Sequence, residues 1–147
     1  MNIMVTGVAG FIGSHVADAL VAEGHVVYGI DNFDPLYPRE TKEGNISQLM
    51  NESAFRFFEI DLLNQAKLNT VFERALRDER PIDCVIHLAA KAGVRPSIED
   101  PLAYTKSNVE GTVNVMEAMA ANDVRDLVFA SSSSVYGNTE EVPFRED

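Results

Sequence analysis

Asn2-Ile-Met-Val-Thr-Gly-Val-Ala-Gly-Phe-Ile-Gly13 opens into a helix-like segment that stops at Gly24, and the apolar run His25-Val-Val-Tyr-Gly-Ile30 then ends on Asp31. Strand, glycine triplet, helix, strand and acid, in that order, read as a βαβ unit that binds a dinucleotide. Gly7 lets the chain turn sharply out of the strand Ile3–Val5. Gly10 lets backbone N–H groups approach a pyrophosphate, and Gly13 lets the helix pack closely on the sheet. The phosphates are expected on the helix N-terminus, where unpaired N–H groups and the macrodipole favour an anion without a basic side chain. Phe11, Ile12, Val16, Leu20 and Val21 fall at helical spacing and predict the helix. An acid at Asp31 accepts both hydroxyls of the adenosine ribose and repels a 2′-phosphate, which argues for NAD over NADP. A glycine-rich turn with a capping aspartate explains the triplet or the acid, but not the whole ordered set. No G-x-x-x-x-G-K-[ST] run occurs, so a P-loop is excluded.

The 147 residues, 46% of them hydrophobic, suffice for one domain with a real core and are too few for two. The domain is taken as residues 1–147. A formal charge of −11 disfavours nucleic acid or an anionic membrane as partner. The single cysteine, Cys84, sits in an apolar run and reads as a small core residue, and no internal disulfide is possible. The N-terminus enters a strand directly, without the regions of a signal peptide, and no apolar run approaches the length of a membrane span. Cytoplasmic location is the expectation. The three histidines, His15, His25 and His87, show no metal or triad spacing and read as structural. No metal is expected.

Apolar strands alternate with amphipathic helices from end to end, which predicts a parallel sheet covered on both faces. Residues 32–43 read as an exposed loop before a short helix around Asn45–Met50. A strand is predicted at Phe55–Ile60. Asn64 then caps a helix whose apolar stripe is Leu68, Val71, Phe72, Ala75 and Leu76. Asp83–Leu88 and Asp126–Ala130 are the remaining strands. Between them, Asp100-Pro101 opens a helix to about Asn122, with Val109, Val113, Met116 and Met119 buried. Right-handed crossovers order such strands 3-2-1-4-5, the doubly wound Rossmann-type arrangement. Ligands bind at the carboxyl ends of its strands. Those ends carry Gly7–Gly13, Asp31-Asn32, Asp61-Leu62, Ala89-Ala90-Lys91 and Ser131–Ser134.

With these elements in place, the chain resembles the NAD-dependent epimerase/dehydratase family, the extended short-chain dehydrogenase/reductases. The resemblance covers essentially every residue. It rests on Thr6-Gly-x-x-Gly-x-x-Gly13, Asp31-Asn32, Asp61-Leu62, His87-Leu-Ala-Ala90, Ser107-Asn108 and Ser131-Ser-Ser-Ser-Val-Tyr-Gly137. Within the family, Ala90-Lys91-Ala92-Gly93-Val94-Arg95-Pro96-Ser97, followed by Asp100-Pro101 and Tyr104, looks most like the UDP-glucuronate 4-epimerases. The resemblance implies NAD as cofactor and a UDP-sugar as substrate. NAD would be held by Gly7, Gly10, Phe11, Ile12, Gly13, Asp31, Asn32, Asp61, Leu62, Leu88, Ala89, Ala90, Lys91, Asn108 and Ser131. Val94, Arg95, Ser132 and Ser133 would face the sugar nucleotide.

Particular roles follow from the resemblance, each beside a plainer reading. Asp61 and Leu62 would bracket the adenine, although Asp61 could simply precede and cap a helix. Lys91 would reach the ribose or phosphates near the nicotinamide, or be a solvated lysine. Asn108 would tie the fourth-strand loop to the cofactor side, or face solvent from mid-helix. Arg95 would meet an anionic sugar nucleotide with its guanidinium fork, or pair with Glu99 or Asp100. Counting back from Val135-Tyr136-Gly137, the catalytic hydroxyl falls on Ser132, to within about one residue. It would bind the sugar's 4-oxygen as hydride leaves C4. The four serines could also merely end a strand.

The family's general base is a tyrosine with a lysine four places on. Here Tyr28, Tyr37, Tyr104 and Tyr136 are followed at that place by Asn32, Thr41, Asn108 and Glu140. In the family the pair follows a segment like Val142-Pro-Phe-Arg-Glu-Asp147. The chain is therefore expected to be an N-terminal fragment, truncated before the sixth strand and the substrate lobe, and inactive by itself. The parent would be a homodimer whose four-helix interface uses the Asp100–Asn122 helix, leaving Val113, Met116 or Met119 unusually exposed in the fragment. Two other readings stand beside the epimerase. One is a nucleotide-sugar 4,6-dehydratase or decarboxylase; dehydratases carry an Asp-Glu pair where this chain has Ser133 and Ser134. The other is a non-catalytic NAD-binding module.

Overall fold

The computed structural model describes residues 1–146; Asp147, the last of the Val142–Asp147 segment, lies outside them. Strands β1 (Asn2–Thr6), β2 (Val26–Asp31), β3 (Phe55–Glu59), β4 (Cys84–His87) and β5 (Asp126–Phe129) form one parallel sheet in the order β3-β2-β1-β4-β5. The helices are α1 (Phe11–Ala22), α2 (Arg39–Ile46), α3 (Gln65–Arg77), α4 (Val94–Glu99), α5 (Pro101–Thr105) and α6 (Gly111–Ala121), with one π turn at Lys106–Glu110. Thr6 stands beside both Ile30 and His87, so the carboxyl ends of β1, β2 and β4 are flush. The predicted strand order is the observed one.

Alternation along the strands divides the core between the two faces of the sheet. Met4, Tyr28, Ile30 and Val85 meet Leu68, Val71, Phe72 and Ala75 of α3 and Val115, Ala118 and Met119 of α6. Ile3, Val5 and Val27 meet Ala17 of α1, Ile46 of α2 and Leu49. Cover on this second face stops short of β5, where Val128 is 55% exposed. The expected cover on both faces thus holds only for part of the sheet. Cys84 is buried, and burial pushes its thiol pKa up.

Several boundaries and faces differ from the sequence expectation. The second helix begins at Arg39 rather than near Asn45, inside the stretch expected to be an exposed loop. Charged anchors hold it there. Arg39 makes a two-pronged contact with Glu59 at 2.9 and 2.7 Å and stacks over Phe33, while Lys42 is buried against Asp31. In α3, Asn64 caps as expected, accepting from the Lys67 N–H at 3.1 Å, but Leu76 is exposed. Leu76 lies about 100° round the helix from Ala75, off the stripe that starts at Leu68. On α1, Phe11 and Ile12 are exposed and the residues buried are Gly13, Ser14 and Ala17. Small side chains bring this helix close to the sheet, as Gly13 predicts.

The single helix expected over Asp100–Asn122 is α5, the π turn and α6. Asp100 caps α5 by accepting from the Ala103 N–H, with Pro101 in the first turn, as predicted. The buried face of α6 is Gly111, Val115, Ala118 and Met119, whereas Val109, Val113 and Met116 are exposed. The helix turns its small residues inward because close approach needs them: a Cβ built on Gly111 would lie 3.4 Å from the Leu62 Cβ. Of the three residues named for a helix interface, Val113 and Met116 are exposed and Met119 is buried.

Candidate functional site

The carboxyl ends of the strands enclose two adjoining cavities. One, of about 150 Å³, is lined by Gly7, Gly10, Ile30, Asp31, Asn32, Asp34, Lys42, Asp61, Leu62 and Gly111, among others. The second, a groove of about 650 Å³, is lined by His87, Val94, Tyr104, Asn108, Thr112, Ser131 and Ser132, among others. Leu88, Ala89, Ala90, Lys91 and Ala92 line both, so one crevice crosses the sheet from β2 to β5. Most of the residues singled out by the sequence meet here. Gly13, Phe11, Ile12, Arg95 and Ser133 line neither cavity.

The glycine turn shows why its residues are small. Gly7 has φ +70°, and a Cβ there would come 2.9 Å from the backbone of Ala89. A Cβ on Gly13 would strike the Gly7 carbonyl and lie 2.9 Å from Val8 Cα. The end of β4 and the start of α1 thus close on β1 with no room for a side chain. Gly10 precedes α1 without any side-chain cap, and its first turn carries no acid. Those amides are left for solvent or an anion. Asn45, from α2, fixes the turn from behind by donating to the Ala9 carbonyl at 2.9 Å.

Asp31 is buried, and its carboxylate is already engaged. Oδ1 accepts from the Phe33 N–H at 2.8 Å and from Lys42 Nζ at 3.0 Å; Oδ2 accepts from the Ala9 N–H at 3.1 Å. With both lone pairs of Oδ1 used, only Oδ2 has a direction free. The expectation that Asp31 takes both ribose hydroxyls therefore meets a carboxylate with room for one. Asn32 donates to Asp61 Oδ2 at 3.2 Å, and Asp61 Oδ1 accepts from the Leu63 N–H at 2.9 Å. That second bond closes a local turn and is not the helix cap considered for Asp61, since Asn64 caps α3; Asp61 lines the crevice as well.

Across the crevice Lys91 Nζ donates to Asp34 Oδ2 at 2.6 Å, joining the β4 loop to the β2 loop. Burial pushes the Asp34 carboxyl up, but hydrogen bonds from Lys91 and from the Leu36 N–H outweigh it and hold the group below the usual carboxylate range. Asn108 clamps the Lys91 backbone at two points, accepting from its N–H at 2.8 Å and donating to its carbonyl at 3.0 Å. The π turn presents this side chain, an irregularity often found at functional sites.

Beneath the loop runs a chain of buried polar groups. Thr6 Oγ1 accepts from the Leu88 and Ala89 N–H groups, each at 3.2 Å, and so must give its own proton to His87 Nδ1 at 2.7 Å. His87 Nε2–H then donates to Thr112 Oγ1 at 2.9 Å, and Thr112 donates to the Asn108 carbonyl at 2.8 Å. Burial lowers the His87 pKa, consistent with the neutral ring this order requires. At the far end, Ser132 Oγ accepts from the Ser134 N–H and donates to Ser134 Oγ, both at 3.2 Å. Arg95 is exposed and, among the described residues, makes no ion pair with Glu99 or Asp100.

Sequence reasoning missed Lys42, Asn45, Asp34 and the Thr6–His87–Thr112 chain. Lys42 and Asp34 lie in the stretch expected to be an exposed loop, Asn45 carried no local signal, and for the last set only the hydroxyls flanking an apolar histidine offered one. The set fits a dinucleotide: a side-chain-free cradle at a helix N-terminus, an acid with one free lone pair, and a floor of small residues.

Comparison with known proteins agrees with this geometry. A family model described as GDP-mannose 4,6 dehydratase matches residues 4–147. The chain is 44% identical over 144 residues to the UDP-glucuronate 4-epimerase of Thermodesulfobacterium geofontis, covering 98% of this chain and 43% of that protein. It is 45% identical over 147 residues to UDP-glucuronate 4-epimerase 1 of Arabidopsis thaliana, covering 99% and 33%. Among solved structures, the UDP-glucuronic acid 4-epimerase of Bacillus cereus, in complex with UDP-glucuronic acid and NAD, superposes with a TM-score of 0.82 at 40% identity, covering 96% of this chain and 43% of that one. The chain thus spans less than half the length of the relatives it matches.

Proposed function

The chain belongs to the family described as GDP-mannose 4,6 dehydratase, among the NAD-dependent epimerase/dehydratases, and from that membership we propose that it is the NAD-binding part of a nucleotide-sugar epimerase acting on UDP-glucuronate. One observation carries the reading: the glycine cradle and Asp31 adjoin a groove lined by Ser132 and Val94, and the two share the residues Leu88–Ala92. The whole protein is read as a cytoplasmic homodimer.

In this reading the amides at the start of α1, Phe11 to Gly13, hold the pyrophosphate, with the glycine turn letting it approach. Asp31 and Asn32 take the adenosine ribose, and Asp61 and Leu62 flank the adenine. Leu88, Ala89, Ala90, Lys91, Asn108 and Ser131 line the other half, with Phe11 and Ile12 at the helix end. When bound, NAD supplies a reversible hydride acceptor. Ser132 redirects its O–H from Ser134 Oγ to the sugar oxygen while still accepting from the Ser134 N–H, which keeps its oxygen in place. Arg95, exposed and without an ion pair among the described residues, offers its guanidinium fork to a carboxylate or phosphate. Val94 and Ser133 complete the sugar side.

The experiment is to incubate UDP-glucuronate with a protein of the relatives' full length that contains this chain, and to follow the sugar protons by NMR. Appearance of the galacto epimer supports the reading. Bound NAD with no epimer overturns the substrate. The family model's description favours a second reading, dehydration or decarboxylation, against which stand Ser133 and Ser134 at the Asp-Glu places; a dehydrated or decarboxylated sugar would establish it.

A further inference from the structure

We propose that the Lys91–Asp34 ion pair is a gate across the crevice, closed with and without a dinucleotide, which has to open for one to enter or leave. The inference rests on the dinucleotide reading above. Lys91 Nζ stands 2.6 Å from Asp34 Oδ2, and the two residues belong to the loops that follow β4 and β2. Strand β1 lies between those strands, so the pair crosses the carboxyl end of β1, where the glycine turn begins. Two strand spacings make a gap of about 10 Å, which a lysine stem and an aspartate together bridge.

Both ends of the bridge are anchored. Asn108 holds the Lys91 backbone at its N–H and its carbonyl. The Asp34 N–H donates to Asn32 Oδ1 at 2.9 Å, and Asp34 Oδ1 accepts from the Leu36 N–H at 3.0 Å. These bonds are internal to the chain, so the pair needs no ligand to form, and opening it takes only a swing of the lysine side chain. With side chains 24% and 26% exposed, the pair is less screened than one in open solvent. Asp34 lines the first cavity and Lys91 lines both, so the bridge stands where the two join. A dinucleotide lying in both carries a flat ring system at each end of a narrow pyrophosphate, and neither end threads beneath a closed bridge. Closure is compatible with a bound ligand. The ammonium has three protons and Asp34 takes one, so Lys91 can hold a ribose or phosphate oxygen at the same time.

A contact present before and after passage, and broken during it, raises the barriers to entry and to release alike. The test is stopped-flow mixing of the 147-residue chain and its variants with NADH, followed by nicotinamide fluorescence. Release is read by chasing with excess NAD, and circular dichroism checks folding. Asp34→Asn keeps an oxygen for the Leu36 N–H and turns amide donors towards Lys91, so it breaks the pair and spares the turn. Asp34→Asn and Lys91→Met should each raise the association and release rates about threefold or more. The double variant should associate no faster than either single one. Charge alone predicts otherwise: NADH is an anion, so losing an acid would speed its association and losing a lysine would slow it. Faster association in Lys91→Met is therefore the result that singles out a gate. If Lys91→Met does not fold, Lys91→Ala must show the same rise. An association rate that is unchanged or lower in the lysine variant overturns the gate and leaves the dinucleotide reading standing. No binding of NADH or NAD to the wild type overturns the dinucleotide reading and this inference with it.

Discussion

Gly13 and Asp31 mark how far single residues could be read in advance. Gly13 was legible because no other residue fits where a helix closes on its own turn. Replacing it with Ala puts a methyl against the Gly7 carbonyl, and urea unfolding should show a loss of about 3 kcal/mol. Asp31 was legible as an acid but not as a buried one, since nothing in the local pattern announces Lys42. Asp31→Ala leaves that ammonium unpaired in the wall and should cost about 3 to 5 kcal/mol in the same assay. In the whole protein, Ser132→Ala should lower turnover about a hundredfold with NAD affinity unchanged; undiminished turnover would transfer the role to a neighbouring serine. The serine run pointed to this place in the chain, while its hydrogen bonds to Ser134 depend on a turn the sequence does not spell out.

At the scale of elements, periodicity found the strands and most of the helices, because their apolar spacing is a local property. On α6 it placed Met119 correctly but gave the inward face to Val113 and Met116 as well, where Gly111, Val115 and Ala118 are buried instead. Met119→Ala should therefore cost about 2 to 3 kcal/mol and Met116→Ala under about 0.5 kcal/mol, as read by thermal or urea unfolding. The Thr6–His87–Thr112 chain ties β1, β4 and α6 together, and it predicts a pH dependence. Burial depresses the His87 pKa from its usual 6.5, so below that value the unfolded chain binds a proton that the folded chain refuses. Stability should thus be constant above pH 6.5 as far as His87 is concerned, and fall as pH drops below it. The slope is at most about 1.4 kcal/mol per pH unit. His87→Gln should remove that slope from a series of urea titrations; an unaltered slope would assign it to other groups.

For the whole molecule, the strand order followed from handedness rules, and with it the place of the crevice at the carboxyl ends of β1, β2 and β4. Its walls were less legible, since Lys42, Asn45 and Asp34 come from a helix and loop whose boundary is set by tertiary pairing with Glu59 and Asp31. Exposed Val128 of β5 and exposed Val113 and Met116 of α6 line neither part of this crevice. The most direct measurement is an NMR titration of the isotope-labelled 147-residue chain with NAD, following every backbone amide. Shifts concentrated at Gly7–Gly13, Asp31-Asn32, Asp61-Leu62 and Ala89–Lys91 are the predicted result. Saturating NAD with no shifts there, or with shifts gathered elsewhere on the fold, would contradict the account.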